Sequence, residues 1–217
     1  LAQMDCWSLL EQARVAVVCT TDDPVDDLVT HKLIANSSIN TRAIPAFRPD
    51  AAMRIQREGF VDYLTTLARV SGVAIHHYGD LVAALTARVA HFHAHGCRIS
   101  DHAIDVPLAP QAVTPAEAQA LLVRRLQGAS LSLAEQSAFQ RRLLVDLGHV
   151  YAGHGWAMCL HIGAQRNNNQ RAFAARGPDT GYDGISDAAH SAGIAGLLDD
   201  LDATDQLPKT LLFGLNP

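Results

Sequence analysis

Trp156-Ala157-Met158-Cys159-Leu160-His161-Ile162-Gly163-Ala164-Gln165-Arg166-Asn167-Asn168-Asn169 is the stretch on which the fold turns. Its first five residues are apolar, a run of the right length for a strand buried on both faces. His161, the turn glycine Gly163, Arg166 and three asparagines then follow within nine positions. A buried strand that ends in ionisable residues marks the mouth of a site.

The same pattern recurs on either side. Val15 to Thr21 reads as a β-branched strand running into Asp22-Asp23-Pro24, where Asp23 and Pro24 predict the start of a helix reaching about Ala35. Thr41 to Phe47 is a strand weakened by Pro45 and ending in Arg48-Pro49-Asp50, so Arg48 is presented at a strand end. Arg98 to Ile104 carries Ser100, Asp101 and His102 toward a loop, and Lys209 to Leu215 is a last strand.

Helical patterns fill the intervals. The spacing predicts helices from about Ser8 to Ala13, up to about Val70, from Asp80 to His95 and from Asp187 to Leu201. In the third of these Leu81, Leu85, Val89 and Phe92 form one buried stripe, and Gly96 stops it. Thr114-Pro115-Ala116-Glu117 and Ser132-Leu133-Ala134-Glu135 are capping boxes that open two helices inside a longer excursion, about 105–156. A turn-rich loop covers Gly177 to Gly184.

Alternating strands and helices imply an α/β fold with about five parallel strands and crossover helices. No Gly-rich phosphate loop is present, and ionisable residues gather after several different strands. A partial (β/α)8 barrel therefore fits better than a dinucleotide-binding sheet. No repeat or low-complexity linker divides the 217 residues, which read as part of one barrel domain.

At 48% hydrophobic residues the chain can bury a sizeable core, and a net charge of -5 argues against nucleic acid as a partner. Apolar runs stop at about five residues, far below the roughly 20 that cross a bilayer, and no secretory leader opens the chain, so a soluble protein without a membrane partner is expected. Cys6, Cys19, Cys97 and Cys159 form no CxxC pair and read as reduced thiols, which fits the cytoplasm. The start at Leu1 and the stop at Asn216-Pro217, directly after a strand, read as a piece cut from something longer.

Several residues could carry chemistry. His91, His93 and His95 are conspicuous, but on a helix His91 and His95 share a face while His93 points elsewhere, so no three-ligand metal site is expected there. Asp23 has a structural role as a cap, whereas Asp22 stays open as a carboxylate for catalysis. Arg48 could grip a substrate carboxylate with two parallel hydrogen bonds or form an ordinary salt bridge. Asp101 and His102 are adjacent in a strand, so they point to opposite sides and only one can face a barrel interior. His161 is either an acid/base or ligand at a strand end, or a core histidine bonded to a carbonyl.

Taken in order, Thr20-Thr21-Asp22-Asp23-Pro24, Phe47-Arg48-Pro49-Asp50, Gly96-Cys97-Arg98-Ile99-Ser100-Asp101-His102, His161 to Asn169, Gly177 to Asp183 and Leu207-Pro208-Lys209-Thr210 resemble the uronate (glucuronate) isomerases of the amidohydrolase superfamily. The resemblance spans nearly the whole chain and corresponds to about the middle half of such an enzyme. It implies a (β/α)8 barrel that interconverts aldose and ketose hexuronates, glucuronate with fructuronate and galacturonate with tagaturonate. It also implies that Arg48 binds the substrate carboxylate and that Asp101 and His161 are active-site residues. Asp22, His102 and Arg166 are lower-ranked candidates, Arg166 and the asparagines as residues that shape the loop.

The resemblance further implies a divalent metal, zinc, and leaves a homo-oligomer open. The family's His-x-His on the first strand and the aspartate of its last strand are absent here, so the main metal ligands are expected outside this segment. Ala51 stands where the family often has lysine. A hydrolase of the same superfamily and a non-catalytic sugar-acid-binding remnant are the competing readings.

Overall fold

Each apolar run pairs with the next one along the chain, because a strand, a crossover helix and a second parallel strand bury their apolar faces against one another. The computed structural model describes residues 4–215. In chain order the elements are α1 (Cys6–Gln12), β1 (Val17–Asp22), α2 (Val29–Ala35), β2 (Arg42–Phe47), α3 (Asp50–Met53), α4 (Phe60–Ser71), α5 (Tyr78–Ala94), β3 (Ile99–Ile104), α6 (Pro115–Leu126), α7 (Leu133–Gly153), β4 (Ala157–Ile162), β5 (Ala164–Gln165), α8 (Gln170–Arg176), β6 (Gly184–Ile185), α9 (Ser191–Asp202) and β7 (Lys209–Gly214).

The main sheet has the order β1-β2-β3-β4-β7, and all its neighbours are parallel. The order follows the chain without reversing. That is the winding of a barrel wall; a dinucleotide-binding sheet reverses at a switch point. Five strands fall short of the eight that close such a barrel, so β1 and β7 are both edges. Leu211, Leu212 and Phe213 of β7 are correspondingly exposed. A separate antiparallel pair, β5 with β6, folds the segment after His161 back on itself.

Side-chain alternation gives the sheet two different faces. Phe47, Ile104, Met158 and Leu160 point to the helices and join a core with Phe92, Tyr151 and Trp156. Phe47 sits edge-on to Phe92 at 5.1 Å and near Tyr151 and Trp156 at 6.2 and 6.1 Å. Both capping boxes form as expected: Thr114 Oγ1 accepts from Glu117 N, and Ser132 Oγ accepts from Glu135 N. Gly96, at φ 89°, follows α5.

Pro45 shapes the sheet. Arg42 N donates to Ala16 O and Arg48 N to Asp22 O, so even-numbered residues of β2 bond to β1 and odd-numbered residues face β3. Pro45 is odd and has no N-H to give. The β2-β3 register is reduced to Phe47 opposite Ser100, whereas β1-β2 and β3-β4 pair along six positions each.

The helix expected from Asp23 begins later, at Val29. Asp23 Oδ1 accepts from Val25 N and from Tyr63 Oη, which uses the carboxylate in a turn. Buried Arg88 of α5 donates from Nε to Pro24 O at 2.7 Å and from Nη2 to Asp26 O at 2.7 Å, which pins the loop open. Leu28 then enters α2 in the left-handed region, φ 57°, while fully buried. Contacts from α4 and α5 thus override the local helix-start signal. The last helix also starts later than Asp187, at Ser191, while α1 starts earlier than Ser8, with Asp5 capping Ser8 N. The expected loop from Gly177 to Gly184 leads into β6, while β5 and helix α8 lie in a stretch for which no element is expected.

Candidate active site

Four neighbouring strands each place one side chain at the C-terminal end of the open face. Phe47 and Ser100 are in register, so the following residues, Arg48 and Asp101, emerge side by side on the face opposite the helices. Ala103 pairs with His161 and His161 with Phe213, which brings the next two strands to the same level. Arg48 Nη1 lies 3.3 Å from Asp101 Oδ2, and His161 Nε2 lies 2.7 Å from Asp101 Oδ1. The imidazole stacks on the Phe213 ring at 4.8 Å and 10°.

This core extends as an alternating chain of charge. Arg48 Nε donates to Asp50 Oδ2 at 2.9 Å, and Asp50 Oδ1 accepts from Ala103 N at 3.2 Å, tying β3 to the segment after β2. Arg54 pairs with Asp105 at 2.6 Å, and Arg166 with Asp183 at 2.6 Å and Asp105 at 3.5 Å. A polar cleft of about 590 Å³ is lined by Arg48, Asp50, Arg54, Asp105 and Arg166 together with Asp22, Asp23, Arg57, Asn167 and Asp179, and Arg48 joins it to Asp101 and His161. Burial raises the Asp23 pKa, against the lowering effect of its hydrogen bonds from Val25 and Tyr63. A more apolar hollow, of about 560 Å³ and lined by Ile34, Ile39, Ile44 and Gly96 among others, lies at the start of β2, away from these strand ends.

Of the residues singled out from sequence, Arg48, Asp101 and His161 converge, and Arg166 borders the cleft through its two aspartates. Asp22 shares the helix-facing side with its register partner Phe47. Its Oδ2 accepts from Thr20 Oγ1 at 2.6 Å, and Thr20 in turn meets His31 Nε2 at 2.7 Å. His102 likewise turns away from Asp101, into the helix layer, with Nε2 3.1 Å from Ser100 Oγ and its ring 5.7 Å from Tyr151. His91 and His95 do share a face, with rings 4.4 Å apart, while His93 Nδ1 accepts from Trp156 Nε1.

His102 makes the fold sensitive to acid. Burial pushes its pKa down from 6.5 to about 4. Between those values the unfolded chain binds a proton that the folded chain excludes, so the His102 contribution is complete above about pH 6.5 and is lost as pH falls toward 4. The linkage is worth about 3 kcal/mol. Urea titrations at neutral and mildly acidic pH should therefore show a smaller acid-induced loss for His102→Leu than for the parent chain. Equal losses in the two proteins would refute this.

Asp50, Arg54, Asp105, Asp183 and Phe213 were not foreseen as parts of the site. Asp50 directly follows the Arg48-Pro49 strand end, and Phe213 lies in a strand that pairs with the one bearing His161, so both had a local signal. Asp105 had none and Asp183 only its place at the end of the matching stretch Gly177 to Asp183, since only the fold brings them to Arg54 and Arg166.

Among the described residues, no group of three or more His, Cys, Asp or Glu side chains is placed to hold a metal ion. Asp101 and His161 are close, but the Asp101 carboxylate is divided between Arg48 and His161. Two groups also fall short of the three protein ligands that catalytic zinc takes. The residues present do not form a metal site by themselves.

A singly wound parallel sheet with an imidazole-carboxylate pair and arginines toward the C-terminal ends of its strands defines a class: the wall of a (β/α)8 barrel, with its ionisable residues at the end where such barrels carry their active sites. A sequence profile described as glucuronate isomerase matches residues 2–217, and the chain belongs to that family. Uronate isomerases of Salmonella paratyphi A and Vibrio vulnificus are 47% and 44% identical to it over 210 residues, 96% of this chain and 45% of each relative. The solved uronate isomerase of Thermotoga maritima superposes with a TM-score of 0.89 at 30% identity, covering 100% of this chain and 48% of that one. The glucuronate isomerase of Caulobacter crescentus gives 0.85 at 25% identity, covering 97% and 43%. The chain thus spans about half the length of the relatives it matches. No helix among the described residues is long and apolar enough to cross a membrane.

Proposed function

We propose that the protein takes part in the aldose-ketose isomerisation of hexuronates, D-glucuronate to D-fructuronate and D-galacturonate to D-tagaturonate. One observation carries this reading: Arg48, Asp101 and His161 come from three consecutive strands and meet on one face. The reaction moves a proton from C2 to C1 and needs an acid/base beside an anchor for the substrate carboxylate. The Asp101 carboxylate lies against Nε2 of His161 and favours a proton there, which leaves Nδ1 as the basic nitrogen. His161 takes the C2 proton through that nitrogen to leave an enediol and returns it to C1, the O2 hydroxyl proton passing to O1, while Asp101 balances the imidazolium. Phe213 keeps the ring plane fixed, and Arg48 holds the distal carboxylate.

We further propose that the divalent ion, zinc, is held mainly by residues outside these 217, and no step above passes through it. Metal analysis of a polypeptide of the relatives' full length that includes this segment tests that placement: it should carry the ion, and the 217 residues alone should not. The reaction itself is tested by incubating the same full-length protein with each hexuronate and following ketose formation by NMR. Hydrolysis of amides or esters with no ketose formed would sink the isomerase reading.

Residues 1–217 purified alone are expected to give no turnover of glucuronate, with or without added divalent metal. The edges β1 and β7 leave the cleft without its remaining walls. A metal-dependent rate from the isolated chain would overturn that expectation.

A further inference from the structure

Four arginines, Arg48, Arg54, Arg57 and Arg166, line the cleft. Three are matched by carboxylates: Arg48 by Asp50 and Asp101, Arg54 by Asp105, and Arg166 by Asp183 and Asp105. Arg57 differs. Among the described residues its guanidinium has no ion-pair partner within 4.0 Å and no hydrogen-bond acceptor, and it is exposed. Its backbone is nevertheless fixed. Arg57 N donates to Arg54 O at 2.9 Å, and Arg57 O accepts from Phe60 N at 3.3 Å and Arg125 Nη2 at 3.4 Å. Next to it, Gln56 Oε1 accepts from Leu131 N at 2.9 Å. A held segment therefore presents to the cleft a cation with no contact partner, its charge felt at longer range by Asp23 and Tyr63.

A sugar acid brings one negative charge. Arg48 can orient a carboxylate with parallel N-H groups, but Asp50 at 2.9 Å and Asp101 at 3.3 Å already balance its charge. Attraction over distance depends on net charge, and none is left at Arg48 to supply it. The charge that compensates the ligand has to come from a group without a partner inside the protein.

We infer that Arg57 is a specificity residue for the carboxylate: its positive charge, not tied up in a contact ion pair, offsets the aspartates of the cleft wall and so favours a sugar acid over the neutral aldose, while Arg48 sets the orientation. The inference rests on the uronate reading for the identity of the ligand. The role is electrostatic and acts before the chemical step, so it belongs in affinity and in salt dependence.

The test uses the full-length protein containing this segment. Binding of D-glucuronate and of D-glucose is measured by titration calorimetry at low and high salt, beside KM and kcat for glucuronate. Arg57→Met is expected to weaken glucuronate binding and raise KM by about five- to tenfold at low salt, with kcat changed by less than about twofold. It should also flatten the salt dependence and narrow the preference over glucose, and Arg57→Lys should restore most of each. Arg57→Gln serves as a second variant, with circular dichroism as the check on folding. Unchanged KM and salt dependence in both neutral variants would overturn the inference, as would a fall in kcat alone. Glucuronate binding that depends on Arg57 but leads to no turnover would sink the isomerase reading and uphold the role of Arg57.

Discussion

Asp101→Asn is expected to lower kcat on either hexuronate by about 10²- to 10⁴-fold, the usual contribution of a positioned acid/base group. Asparagine keeps the shape but removes the charge that faces His161 at 2.7 Å and Arg48 at 3.3 Å. His161 is left without the partner that favours a proton on Nε2, and the imidazolium formed on taking the C2 proton is no longer balanced. The loss should appear in kcat and kcat/KM together, because the interaction strengthens as charge develops on the ring. Exchange of the C2 hydrogen for solvent deuterium, followed by NMR, should slow in parallel. A variant that isomerises and exchanges at the parent rate would remove Asp101 from the chemistry.

Arg48→Met is the second large effect. Hydrogen bonds to charged groups are worth about 1.5 to 3 kcal/mol, so loss of the guanidinium should lower kcat/KM on uronates by about 10- to 100-fold. The melting temperature should change far less than activity does, since Arg48 lies at a strand end and is part-exposed, while the apolar core is on the other face. Removing the cation also leaves Asp50 and Asp101 facing the substrate carboxylate with like charge, which adds to the loss. Equal use of a uronate before and after the substitution would take Arg48 out of the site.

The class of fold was legible because each apolar run from Val15 to Ile162 ends in polar residues and is followed by helical segments before the next run. The winding 1-2-3-4-7 then needed only the rule that successive parallel strands lie side by side. The two capping boxes were legible for a local reason: hydroxyl and carboxylate satisfy each other within four residues. Asp23-Pro24 misled because its outcome is decided from outside, by Tyr63 forty positions away and Arg88 sixty-four from Pro24. Arg48 and His161 could be found one by one as strand ends, and alternation correctly set Asp101 against His102. Their pairing through one carboxylate could not, because strand spacing fixes levels while side-chain partners depend on which strands are neighbours. Asp105 and Asp183 belong to loops with no periodic signal at all.

The missing N-H of Pro45 makes the junction of β2 with β3 the weakest seam in the sheet, and the groups that rivet it are the ones offered to substrate. Arg48 reaches across to Asp101, and Asp50 reaches across to Ala103 N. A ligand that draws the guanidinium toward itself competes with a fastener of the protein, so occupancy of the cleft and cohesion of the two strands are thermodynamically linked. Tightening the grip on a carboxylate therefore has a mechanical side: it trades strand-to-strand attachment for attachment to the ligand. Amide exchange along Ile99 to Ala103 would register that trade.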